Sequence, residues 1–94
     1  MSRNVEMREV ENITAVCECM RIVVQTLLDD SAAAVVLPVA GAGSTTVQVR
    51  VSASDVSKVI GKTGRTARSL RVILGAARVK CRQRFELDII DAAS

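Results

Sequence analysis

The stretch Val59-Ile60-Gly61-Lys62-Thr63-Gly64-Arg65-Thr66 constrains this chain more than any other. Two glycines bracket a lysine and a threonine. An apolar run ends just before them, and an arginine-rich pattern of helical period begins just after. The segment therefore reads as helix, tight turn, helix. Gly61 suits the left-handed conformation that ends a helix, and Gly64 opens the next one with no side chain in the way. With no Cβ at either corner, the sugar-phosphate spine of a polyanion can come close to the main chain. The N–H groups at the start of the second helix add partial positive charge there, and Lys62 and Arg65 add full charges. A helix hairpin whose glycines only close the turn is the plainer alternative.

The distribution of charge favours the first reading. Net charge is only +3, but Lys58, Lys62, Arg65, Arg68, Arg71, Arg78, Lys80, Arg82 and Arg84 follow one another with no acid among them. Residues 1–30 hold six acids against three arginines, a net of −3. A merely solvated helix face mixes both signs to make i, i+4 pairs. Charge segregated along the chain in this way is the electrostatic footprint of a nucleic-acid binder.

A chain of 94 residues makes one domain with one core. Apolar residues are 49% of it and aromatics 1%, so Val, Ile, Leu and Ala build that core around the single Phe85. Residues 1–12 are expected to be a flexible or partly helical lead-in, and residues 13–91 the domain. Asn12 suits an N-cap. Ile13, Val16, Cys17, Met20, Val23, Val24, Leu27 and Leu28 then recur at helical spacing up to a stop at Asp29-Asp30-Ser31. Ala33–Val39 is β-branched and contains Pro38, which belongs at a sheet edge. After a Gly41–Ser44 turn, Thr45–Val51 alternates, with Val47, Val49 and Val51 on one face. Ser52 and Asp55 have the spacing of a capping box and start a short helix that ends at Gly61.

Beyond the turn, Ala67, Leu70, Ile73, Leu74 and Ala77 share one face of a helix over Arg65–Lys80, and Gly75 inside it costs about 1 kcal/mol against Ala and suggests a close crossing. Arg84–Ile90 alternates as a last strand with Phe85, Leu87 and Ile89 inward, and the chain frays from Asp91. The order is α-β-β-α-α-β, an α+β fold. Two strands joined through a pair of helices become parallel neighbours, so three helices pack on a three-stranded mixed sheet.

Several classes of function are excluded. The uncharged stretch Ser31–Gln48 is broken by Pro38, Gly41 and Gly43, and the start of the chain lacks the apolar run of a signal peptide, so a cytoplasmic protein is expected. Cys17, Cys19 and Cys81, with no histidine, offer no structural zinc site, and they read as ordinary small residues or, alternatively, redox-sensing thiols. No nucleophile has a plausible base and no GxxxxGK[ST] loop is present, so neither an enzyme nor a cofactor is expected. The absence of Tyr and Trp argues against readers that depend on aromatic platforms.

The stretch Val56-Ser57-Lys58-Val59-Ile60-Gly61-Lys62-Thr63-Gly64-Arg65-Thr66 resembles the signature of KH domains, whose GxxG loop clamps the backbone of about four nucleotides. The order of elements over residues 13–90 is most similar to the small bacterial KH-domain RNA-binding proteins of the KhpA (YlqC) type. The resemblance implies a type II KH fold and single-stranded RNA across the GKTG turn. It also implies RNA-binding roles for Ile60, Gly61, Lys62, Thr63, Gly64, Arg65 and Arg68, with Lys58, Arg71 and Arg78 as a supporting basic field. Ile60 would floor the groove, while the Thr63 and Thr66 hydroxyls serve either RNA or the helix start. A role as post-transcriptional regulator or RNA chaperone in cell elongation and division is implied, as are a homodimer and a second KH-containing partner of the KhpB (Jag, EloR) type. A dimerisation or adaptor module with incidental RNA binding, and a single-stranded DNA binder, are the alternatives.

Overall fold

Alternating β-branched and polar residues build the middle of the sheet. The computed structural model describes the backbone of residues 2–28 and 34–92, and the side chains of 7–28, 34–61 and 63–92. Strand β2 (Ser44–Val51) buries Thr45, Val47, Val49 and Val51 on one face. Strand β1 (Val35–Gly41) pairs antiparallel with it, from Val35 opposite Arg50 to Gly41 opposite Ser44. Strand β3 (Arg84–Asp91) pairs with it in parallel, from Ser44 opposite Arg84 to Val51 opposite Asp91. The sheet is therefore mixed, in the order β1-β2-β3. Pro38 lies on the edge strand as expected, where its missing N–H does least harm.

Helices α1 (Ser2–Leu27), α2 (Ala53–Ile60) and α3 (Arg65–Cys81) complete the α-β-β-α-α-β order read from the periodicity. Met20 and Val24 of α1, Val59 of α2, and Leu70 and Leu74 of α3 meet the three valines of β2 in one buried cluster. Side chains of this size contribute roughly 1.5–3 kcal/mol each when withdrawn from water. Phe85, Leu87 and Ile89 of β3 pack half-buried against the same cluster. Among the described residues no helix covers the opposite face of the sheet, and Val35, Leu37 and Val39 are exposed there.

Local details differ from the sequence reading. Asn12 is not an N-cap, because α1 already runs from Ser2. Residues 6–11 are mostly good helix formers with no Gly or Pro to stop propagation, although Met7 and Val10 bury little. Leu27 ends α1 exposed, and Leu28, one residue past it, is the side chain that turns inward. Ser52 and Asp55 start α2 without forming a capping box. The Ser52 Oγ donates to Asp55 Oδ2 at 3.0 Å, while the Ser52 carbonyl accepts from the N–H groups of Asp55 and Val56 at 2.9 and 3.2 Å.

Gly75 makes no close crossing, since it is exposed and a Cβ there would meet nothing within 4 Å. Asp91 belongs to β3 rather than a frayed tail, and the Ala92 N–H donates to the Val51 carbonyl at 2.7 Å. The stop at Asp29-Asp30-Ser31 and the predicted strand start at Ala33 lie outside the described residues.

Candidate nucleic-acid interface

The loop between α2 and α3 is built from backbone conformations that few residues adopt. At the end of α2 the Gly61 N–H donates to the Ser57 carbonyl at 2.9 Å. Gly61 itself has φ 81° and ψ 168°, which corrects the expected left-handed stop: it is an extended conformation of positive φ that glycine alone takes readily. The physical reason lies in the turn itself. The chain must step away from α2 before it coils into a short 3-10 turn, Lys62–Gly64, which the Gly64 N–H closes by donating to the Gly61 carbonyl at 3.1 Å.

The left-handed residues are Thr63 (φ 56°, ψ 25°) and Gly64 (φ 73°, ψ 16°). A β-branched residue in that region is an outlier with a cost on the order of 1–2 kcal/mol. Gly64 stands as the N-cap of α3 with no side-chain cap, and the first turn of α3 contains no acid. The first amides of a helix have no acceptor within it, so the start of α3 places partial positive charge as a patch beside the turn.

Around that patch, Ile60, Thr63, Arg65 and Arg68 are exposed, and Ala67 is buried beneath it. The structure thus brings Ile60, Gly61, Thr63, Gly64, Arg65 and Arg68 to one end of the molecule, where α2 meets α3. The backbone of Lys62 lies in the turn, and the expected outward course of its side chain falls outside the described residues. Lys58 differs from the predicted arginines, because its Nζ lies 3.7 Å from Oδ1 of the buried Asp55. That contact discounts the charge Lys58 presents to a ligand. Arg71 and Arg78 are exposed further along α3, and Lys80, Arg82 and Arg84 are exposed near its end.

Thr66 has a role that sequence reasoning weighed only as a hydroxyl. Its side chain is half-buried and fills the space a Gly61 Cβ would need. A glycine five residues before a β-branched residue, across a turn, is the signal that could have found it.

The thiols stand apart from this end. Cys17, Cys19 and Cys81 are free; burial pushes the Cys17 thiol above its usual range, Cys19 is exposed, and Cys81 is half-buried. Among the described residues no group of three or more His, Cys, Asp or Glu could hold a metal ion, and no helix is long and apolar enough to cross a membrane.

Comparison with known proteins gives one family. The model of the KhpA/KhpB KH domain matches residues 18–89. A protein of Borreliella burgdorferi named RNA-binding protein KhpA is 39% identical over 74 residues, covering 79% of this chain and 90% of its own length. Its namesake in Treponema pallidum is also 39% identical over 74 residues, covering 79% of this chain and 92% of its own. The one in Aquifex aeolicus is 32% identical over 79 residues, covering 84% of this chain and all of its own. No solved structure matches the chain. The match, which runs from within α1 through β1, β2, α2, the loop and α3 into β3, shows that this chain belongs to the KhpA/KhpB KH-domain family.

Proposed function

We propose that this protein binds single-stranded RNA without catalysis, holding the strand's backbone against the GKTG turn. The observation that carries the reading is the uncapped, acid-free start of α3 beside a turn in which Gly61, Thr63 and Gly64 all have positive φ. That arrangement exposes donors and removes side-chain bulk where a phosphate must approach. The relatives named RNA-binding proteins support the same ligand. In this reading Gly61 and Gly64 allow close approach, Lys62, Arg65 and Arg68 meet phosphates, Thr63 faces the strand and Ile60 floors the bases. Arg71 and Arg78, with Lys58 to a lesser degree, supply the surrounding field. The domain spans residues 13–91, and residues 2–12 extend α1. Two or three phosphate contacts give a log-log salt slope of about −1.4 to −2.1.

Membership in the family extends the proposal to post-transcriptional regulation or RNA chaperoning in the cytoplasm, linked to cell elongation and division, with a second KH-containing partner of the KhpB type. A homodimer is the second reading, and the ridge of Val35, Leu37 and Val39, each 40–44% exposed on the uncovered face of the sheet, favours it.

Substitution of Lys62→Asp together with Thr63→Asp separates RNA binding from an adaptor role. The doubly substituted protein is expected to stay folded and to stop shifting single-stranded RNA in a gel. If it bound RNA as well as the parent, the adaptor reading would replace this one. Matched RNA and DNA strands distinguish the two nucleic acids through the 2′-OH.

A further inference from the structure

Packing does not explain the presence of Gly75 in α3. It sits mid-helix, where glycine costs about 1 kcal/mol against Ala, yet it is exposed and a Cβ would meet nothing within 4 Å. Its neighbours on the surface are specific. At 100° per residue, Arg68, Arg71, Gly75 and Arg78 fall within an arc of about 80°, following the 3-4-3 spacing of one helix stripe. Val72 and Val79 adjoin that stripe and are 67% and 81% exposed. The outward crest of α3 therefore combines cations, apolar shelves and a position without a side chain. Among the described residues no acid is ion-paired to Arg68, Arg71 or Arg78.

Charge decides what such a crest can meet. No acid occurs anywhere in α3, so two copies packed crest to crest would set the arginines of one against those of the other. A polyanion with flat apolar bases meets all three features at once. Phosphates pair with guanidinium groups, bases rest on valine, and the sugar-phosphate spine passes closest where the side chain is missing.

We propose that α3 is a track along which a single RNA strand continues after leaving the GKTG turn, with its backbone seated at Gly75 between Arg71 and Arg78. The proposal rests on the RNA-binding reading above and extends its footprint. From Arg68, the last residue of the clamp, to Arg78 the helix rises about 15 Å, so at roughly 3.4 Å per stacked nucleotide the track adds about four nucleotides to a clamp that holds about four.

The test compares single-stranded RNAs of about four and about twelve nucleotides, chosen to end at the clamp or to cover the track. Gly75→Gln places a neutral, helix-favouring side chain on the stripe. It is expected to raise thermal stability, to leave the shorter RNA bound as before, and to weaken the longer one about tenfold, as expected for lost contacts to charged groups. Arg71→Gln with Arg78→Gln is expected to flatten the salt slope for the longer RNA by about 1.4, two contacts at roughly 0.7 each. Unchanged affinity for the longer RNA in Gly75→Gln, or an equal loss for both lengths, overturns the track and leaves the clamp standing. A change in oligomeric state with RNA affinity intact would assign the crest to protein pairing and overturns it too. If the parent binds neither RNA, the clamp and the track fall together.

Discussion

Gly61 and Thr66 cannot both carry a Cβ where they stand. A Cβ built on Gly61 would lie 2.7 Å from the Thr66 Cβ and 2.8 Å from the Thr66 backbone nitrogen. The end of α2 thus leans directly on the first turn of α3, and the contact sets the angle at which the turn's donors are presented. Gly64 is under no such restraint, because a Cβ there would meet nothing within 4 Å.

The two glycines should therefore respond differently to alanine. Gly61→Ala meets both a backbone clash and a positive φ of 81°, and is expected to lose at least about 3 kcal/mol along with RNA binding. Gly64→Ala meets only the φ penalty, about 1–2 kcal/mol. Urea unfolding of the two variants measures the order, and equal losses would show that the Thr66 contact is readily relaxed.

Thr63 holds φ 56° with a β-branched side chain, which leaves strain to be released. Thr63→Asn, which tolerates the left-handed region, is expected to raise stability by about 1 kcal/mol. A lower urea midpoint for the variant would mean that contacts of the threonine side chain outweigh its backbone cost.

Asp55 is 6% exposed and accepts from Ser52 Oγ at the mouth of α2. Asp55→Ala leaves the Ser52 hydroxyl only the Ser54 Oγ, 3.2 Å away, and removes a charge from the helix start along with the Lys58 contact, for an expected loss of about 1–3 kcal/mol. Asp55→Asn keeps an acceptor in place and should lose less. Thermal unfolding of the pair checks the ranking.

Cys17 is the thiol that burial protects. An aromatic disulfide reagent is expected to label Cys19 and Cys81 readily and Cys17 only on unfolding. Because burial raises the folded-state pKa of Cys17, the unfolded chain loses this proton first as pH rises. Stability is then undiminished below the unfolded thiol value of about 8.5 and declines above it. Cys17→Ala should flatten that alkaline decline, as followed by urea unfolding at pH 7 and above.

Elements governed by short-range rules were legible in the sequence. Val47, Val49 and Val51 announced the buried face of β2 by strict alternation, and Ala67, Leu70 and Leu74 announced that of α3 by helical spacing. The pair of helices between β2 and β3 implied their parallel pairing. The GKTG stretch announced the turn, but not its conformations, because the φ of Gly61 follows from the chain's step out of α2 into the 3-10 turn and its missing Cβ from Thr66. Asn12 was misread as an N-cap because its residue type suits one, although nothing before it stops a helix and a partly helical lead-in was also expected. Gly75 was read as a packing glycine for want of the fact that its surroundings are open.

The central claim is that RNA meets this protein at the donors beside the turn. An amide NMR titration of the isotope-labelled protein with single-stranded RNA of about four nucleotides tests it most directly. The largest shifts are expected at Gly61–Arg68, decreasing along α3 and absent from α1 and β1. Shifts concentrated on β1 or α1, with the amides of Gly61–Arg68 unmoved at saturation, would contradict it.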